Sequence, residues 1–338
     1  MNLGVLIETV QRNCDIADAR HARDLTLCTY LLEMREFYRW EHDLPPDVSP
    51  AKEDLGRWIR EREARWEGLA EEEFAALPVA GAAVEPFAVP AVNAALDGAG
   101  LAYGAGIGRF RKPHFFLGRL LRRERRDGLA VSVIGCEYAR DITAIPAALQ
   151  DGTVVVRQEA LRQWLREKVE SWSLKQPQGP TGRAVAAYGG DAAAFERMVA
   201  AETETLILHE QGEHAVGRLL GPAWEEMLAG FRGRRAELLG RAVRDNWADC
   251  LCTLPTLLER EAWPSLHWWF GNFDGWRLSL FPSLAAAYGA WADGGDAGPL
   301  QAALGRGLEH WPAVARRLLA ATEGDIEALA GAPELIRL

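Results

Sequence analysis

From Asp191 onward the chain reads as almost wholly helical, and this run limits the fold more than any other feature. Phe195, Met198, Val199 and Leu206 fall at helical spacing behind an aspartate and an alanine-rich start. The pattern predicts one helix from about Asp191 past His214, punctuated at Gly221-Pro222. Further helices follow, with breaks expected at "GRG", "WPSL", "GNFDG", "ADGGDAGP" and "GLEHWP". Eight of the thirteen tryptophans lie between Trp224 and Trp311, as large core side chains of a helical domain would. The dense segment "LHWWFGNFDGWRLSLF" could instead line a pocket.

The first half is more varied. "MNLGVLIETVQRN" places Leu3, Leu6, Ile7 and Val10 at helical spacing. Asp15 or Asp18 is placed to cap a longer helix running to about His42, and "LPPDVSP" ends it. Pro50 opens another, charged and amphipathic. Residues 78–110 turn rich in Gly, Ala and Pro, which suggests a connector and short strands. "HFFLGRLL" and "LAVSVIGCEY" then flank "RRERRDG", where Asp127-Gly128 is a hairpin signal, and "TVVVR" is a further strand. The expected fold class is mainly α. A helical domain over 1–175 holds a small inserted β-sheet or hairpin at about 100–157, a linker covers about 173–190, and an all-helical domain fills 184–338.

The formal charge of −10 opposes binding to nucleic acid or an anionic membrane. No apolar run reaches the ~18 residues of a membrane span. The five cysteines are odd in number and scattered, and no secretory signal opens the chain, so reduced thiols in a cytoplasm are expected.

"LHEQGEHAVG", residues 208–217, nearly spells a zinc-protease helix. Its spacing is HExxxH, so at about 100° per residue His209 and His214 diverge by about 140° and cannot share one zinc on a regular helix. Glu202, His209 and Glu213 do fall within about 40° of one another. Glu210 and His214 make a second i,i+4 pair on the adjacent face. Asp245 and Asp249 in "RDNWADCLC" are candidates to complete a site from a second helix, in the manner of helical carboxylate metal proteins. A solvated polar helix face would carry the same residues.

A second candidate cluster is Cys14, Asp18 and His21, spaced four and three apart. These types ligate metals and would suit zinc, or could make a thiol nucleophile with a base. The plain alternative is a helix cap at Asp15 or Asp18. "YGAGIGRF" lacks the third glycine of a dinucleotide fingerprint, Arg109 standing in its place, and no helix follows. Residues 108–128 hold eight lysines and arginines interleaved with Phe110, Phe115 and Phe116. They read either as an anion-binding hairpin or as the charged outer face of a strand.

"NCDIADARHARDLTLCTYLLEMREFYRWE" near the start, with "LHEQGE" and "AWEEML" later, resembles an uncharacterised bacterial family, mostly proteobacterial. The resemblance covers most of the chain and implies an intracellular protein. It implies no activity, cofactor or catalytic residue. Two functional expectations therefore stand. One is a metal-binding helical protein, possible as an enzyme, with Glu202, His209, Glu210, Glu213 and His214 facing Asp245 or Asp249; its carboxylates suit iron or manganese better than zinc. The other is a non-catalytic binding or scaffold protein that holds a small molecule or protein through the aromatic C-terminal domain or the hairpin 108–128.

Overall fold

The computed structural model of the protein describes residues 2–45, 48–108, 111–150, 152–175, 178–191 and 193–338. Arg109 and Phe110 of the basic stretch lie outside the described residues, as do Gln176 and Pro177 of the expected linker. The chain divides into two compact units, Met1–Arg166 and Glu167–Leu338.

In the first unit α1 (Leu3–His21), α2 (Leu27–Glu41) and α3 (Lys52–Glu67) precede a two-stranded hairpin, β1 (Leu77–Val79) and β2 (Ala82–Val84). The short helix α4 (Val89–Ala95) leads into β3 (Leu101–Ile107), β4 (Pro113–Arg126), β5 (Leu129–Arg140), β6 (Ala147–Gln150) and β7 (Thr153–Arg157). These five strands form one mixed sheet in the order β3-β4-β5-β7-β6, with β5 and β7 parallel. The helix α5 (Gln158–Ser173) crosses the division between the units.

The expectation of a helical N-terminal domain with a small inserted β-sheet or hairpin is therefore corrected. The sheet is the frame of the first unit, and α1 packs on it. Leu6, Val10, Cys14 and Ala17, one face of α1, bury against Tyr103, Ala105, Phe115 and Leu117. The other face of the sheet has its own small core of Ala102, Phe116, Ile134 and Val155. The strands were undersized in sequence for a physical reason. Gly104 and Gly106 erase the alternation of β3, and β5 is buried along most of its length, so it reads as a plain apolar run. Asp127 and Gly128, both at positive φ, turn β4 into β5 as the dipeptide predicts.

The second unit consists, among the described residues, of helices: α6 (Pro180–Tyr188), α7 (Ala194–Leu220), α8 (Pro222–Gly230), α9 (Arg234–Ala248), a π-helical turn (Asp249–Thr253), α10 (Leu254–Glu259), α11 (Trp263–Gly271), α12 (Gly275–Leu280), α13 (Pro282–Gly294), α14 (Gly298–Leu319) and α15 (Glu323–Gly331). The helix α6 occupies about half of the stretch expected as a linker. The helix α7 runs unbroken through His209, although Asp191 sits before it and binds the Ala193 amide rather than capping it. A break was expected at Pro312, but α14 continues through it. Trp224, Trp269, Trp291 and Trp311 are buried in one large core.

Candidate metal centre

Two local features bring α7 against the α9–α10 segment. The first is Gly212. A Cβ there would stand 2.6 Å from the Ala248 carbonyl oxygen, so only glycine permits this approach of two backbones. The second is the π turn. Pro255 has no N–H to give the Leu251 carbonyl, and its ring would crowd that carbonyl in a regular helix. The helix widens just before it: the Leu254 amide reaches back to the Asp249 carbonyl, one residue further than α geometry. Asp249 stands at the start of that turn and Asp245 one helical turn earlier.

The result is a connected polar site. His209 Nδ1 lies 2.9 Å from Asp249 Oδ1, and its Nε2 lies 3.2 Å from Glu213 Oε1. Glu213 Oε2 takes Arg244 at 2.8 Å, and Arg244 reaches Asp245 at 3.3 Å. Arg277 holds the other oxygen of Asp249 at 3.2 Å. One ligand atom from each of His209, Glu213 and Asp245 lies within 4.8 Å of the others. Asp249 is buried, while His209, Glu213 and Asp245 are partly open to solvent.

Electrostatics divides these groups. Burial opposes an imidazolium at His209, but Asp249 and then Glu213 outweigh it and hold the ring well above its usual value. Partial desolvation opposes the Glu213 charge too, yet His209 and Arg244 keep it ionised far below the usual carboxylate range. Asp249 is lowered against its burial by His209 and Arg277. Asp245 goes the other way: burial and the neighbouring Glu213 charge push it up to about 6. Burial and Glu213 likewise push Glu210 up to about 7.

Of the residues singled out in sequence, His209, Glu213 and Asp245 converge, with Asp249 behind the imidazole. Glu202, one end of the expected stripe, is buried elsewhere. It accepts a 2.6 Å hydrogen bond from the Tyr188 hydroxyl, which also meets Ser265 at 2.9 Å. Glu210 is buried beside the site but outside the convergent set, and His214 on the next face is outside it as well. Arg244 and Arg277 were missed. "GRAVRDNW" and "GWRLSLF" put an arginine beside an acidic or aromatic group, but partners across helices leave no spacing signal.

The N-terminal cluster comes out differently. Cys14 and Asp18 are fully buried on α1, but His21 at its end turns to Asp24 at 3.0 Å. Lys112 takes the place a metal would need: its Nζ lies 2.7 Å from Asp18 and 3.5 Å from Asp141. Asp141 also holds His114 Nδ1 at 3.0 Å. The Cys14 thiol donates to the Phe115 carbonyl, and burial with the Asp141 charge raises its pKa well above the ordinary value. A thiol so held is a poor nucleophile and a poor zinc ligand. Lys112, His114 and Asp141 escaped the sequence reading because they are about a hundred residues from α1. The available hint was charge at the ends of apolar strands: Lys112-Pro113-His114 before β4's "FFLG" and Arg140-Asp141 where β5 ends.

Part of the basic stretch is paired in place. Glu124 pairs with Arg122 and Arg126, and Asp97 with Arg123. No described helix is long and apolar enough to cross a membrane.

No curated protein and no solved structure matches the chain. Residues 5–157 match the N-terminal domain of a family of unknown function, DUF6866, and residues 162–335 match its C-terminal domain. With nearly its whole length accounted for by these two domains, the chain belongs to the DUF6866 family.

Proposed function

We propose that the second unit binds one divalent transition-metal ion, iron or manganese in preference to zinc, on His209 Nε2, Glu213 and Asp245. The orientation of His209 carries this reading. Metal-bound histidines give their second ring nitrogen to a carboxylate or carbonyl, which fixes the tautomer and strengthens the ligand. Here Asp249, buried and itself held by Arg277, takes Nδ1 and leaves Nε2 to Glu213, with Asp245 in the same cluster. One imidazole and two carboxylates suit manganese or iron, and three protein ligands leave positions for water or an oxygen-bearing substrate. In that role the ion would activate a bound water or polarise the substrate. We read the protein as a cytoplasmic one, in keeping with its five free thiols.

A non-catalytic alternative has one observation in its favour. Arg244, Arg277 and a protonated His209 already balance the charge of Glu213 and Asp249, as a structural ion network would. Metal titration decides between them. Protein stripped of metal and titrated calorimetrically with manganese(II), iron(II) and zinc(II) should take up about one equivalent, and His209→Ala should take up none. Uptake below about a tenth of an equivalent for all three ions would leave the network reading.

The same site sets a pH dependence. The folded-state pKa of His209 is raised, so without metal its contribution to stability is full below the unfolded value of 6.5 and is lost as pH rises through the folded value. A metal must displace that proton, so metal affinity should rise with pH and binding at pH 7 should release about one proton. Calorimetry in two buffers of different ionisation enthalpy measures the release. Binding with no proton released would place the metal away from His209.

A further inference from the structure

The first unit contains a cavity of about 520 Å3, bounded by α4 and by the face of the sheet opposite α1. Its size falls in the range of about 300–1,000 Å3 usual for small-molecule sites. It exists because the sheet curls. Gln150 on the edge strand β6 reaches Gly104 on β3 at the opposite edge, where a Cβ would stand 2.9 Å from Gln150 Oε1 and closer still to the Phe116 ring. At β3 the helix α4 covers the sheet edge, and Asn93 takes both the N–H and the carbonyl of Tyr103.

The lining is unevenly polar. Phe116, Ile134 and Val155 supply an apolar floor. Cross-strand partners share a face, so Arg123, Ser132 and Val155 stand in one row, and Arg125, Ala130, Thr153 and Gln150 in the next. Two arginines thus stand at this end of the face. Arg123 meets Asp97 at 3.3 Å with both side chains largely exposed, and Arg125 donates to the Gly128 carbonyl. Arg123 is the cation among the residues lining the cavity, and Asp97 beside it is its present partner. Deeper in, Gln150 Oε1 is shut off from solvent and finds no hydrogen-bond donor among the described residues. A buried acceptor without a donor is costly, and a ligand N–H or O–H would meet it.

We propose that this cavity binds a small apolar carboxylic acid that carries a hydrogen-bond donor near its carboxylate, the chemistry of an N-acyl amino acid. The carboxylate pairs with Arg123, the donor meets Gln150 Oε1, and the hydrocarbon lies on Phe116, Ile134 and Val155. This site is in the first unit and does not depend on the metal reading.

Calorimetry on the full chain tests it with three probes: N-octanoylglycine, octanoate and octylamine. N-octanoylglycine should bind with a dissociation constant on the order of 10–100 µM. Octanoate, lacking the donor, should bind about tenfold more weakly, and octylamine should give no heat. Arg123→Gln, at an exposed position, should weaken both acids by about tenfold or more. Gln150→Leu should bring N-octanoylglycine down to the level of octanoate and leave octanoate unchanged. Ser132→Phe, which fills the cavity, should abolish both; if it misfolds by circular dichroism, Arg123→Gln and Gln150→Leu decide alone. No heat from either acid at millimolar concentration, equal binding of octylamine, or binding untouched by Arg123→Gln would overturn the proposal.

Discussion

Glu137→Ala is expected to destabilise the first unit by about 3–5 kcal/mol, the usual cost of breaking a buried ion pair from one side. Glu137 is fully buried and takes Arg157 through two hydrogen bonds, at 2.5 and 2.9 Å. Arg140 lies 3.7 Å away, itself almost fully buried and bonded to Gln163. Without the carboxylate, Arg157 is left over the Phe116 ring without its hydrogen-bonded partner, and the Asp141 charge is the compensation that remains. The pair itself need not add stability over apolar residues, so Glu137→Leu combined with Arg157→Met should recover most of the loss. Hydrogen exchange of the β5 amides in native protein reads the stability of this unit. A loss under about 1 kcal/mol for Glu137→Ala would mean that water reaches Arg157 and the network is not closed.

Gly212→Ala is expected to act on the second unit and on the metal together. The new methyl would meet the Ala248 carbonyl at 2.6 Å, so α7 must move from the π turn. Overpacking of this kind costs about 1–3 kcal/mol. The same displacement pulls His209 from Asp249, and loss of such an outer partner typically costs about 10–100-fold in metal affinity. Gly217 is on the same helix with open space around its Cβ position. Gly217→Ala should therefore stabilise by up to about 1 kcal/mol and leave metal affinity unchanged. Thermal melting and manganese calorimetry on the two variants separate these outcomes. Equal metal affinity in Gly212→Ala would detach the site from the helix contact.

What was legible in the sequence follows from how local each signal is. The helix α7 was legible because Phe195, Met198, Val199 and Leu206 repeat within a few residues of one another, and the Asp127-Gly128 turn because its φ angles are set by two residues. The sheet was underestimated because Gly104 and Gly106 leave β3 without side chains at their positions on the face opposite α1. Its pairing of β5 with β7 is a long-range event with no periodic trace. In the site, Glu213 and His209 could be placed on one stripe by helical arithmetic. Glu202 satisfied the same arithmetic and still went elsewhere, because Tyr188 and Ser265 capture it. The approach of Asp245 and Asp249 depends on Gly212 and on the widening before Pro255, which become meaningful only when the two helices are side by side. The N-terminal stripe failed for the converse reason: Lys112 arrives from β4 territory and balances Asp18 with a cation that the stripe itself does not contain.

The most direct test of the metal reading is anomalous diffraction from crystals grown with manganese(II), with data collected on both sides of the manganese absorption edge. One dominant anomalous peak is expected, about 2.0–2.3 Å from His209 Nε2 and from one oxygen each of Glu213 and Asp245, with Asp249 still on Nδ1. A dominant peak elsewhere, or none at this site with His209 still seated between Asp249 and Glu213, would contradict it.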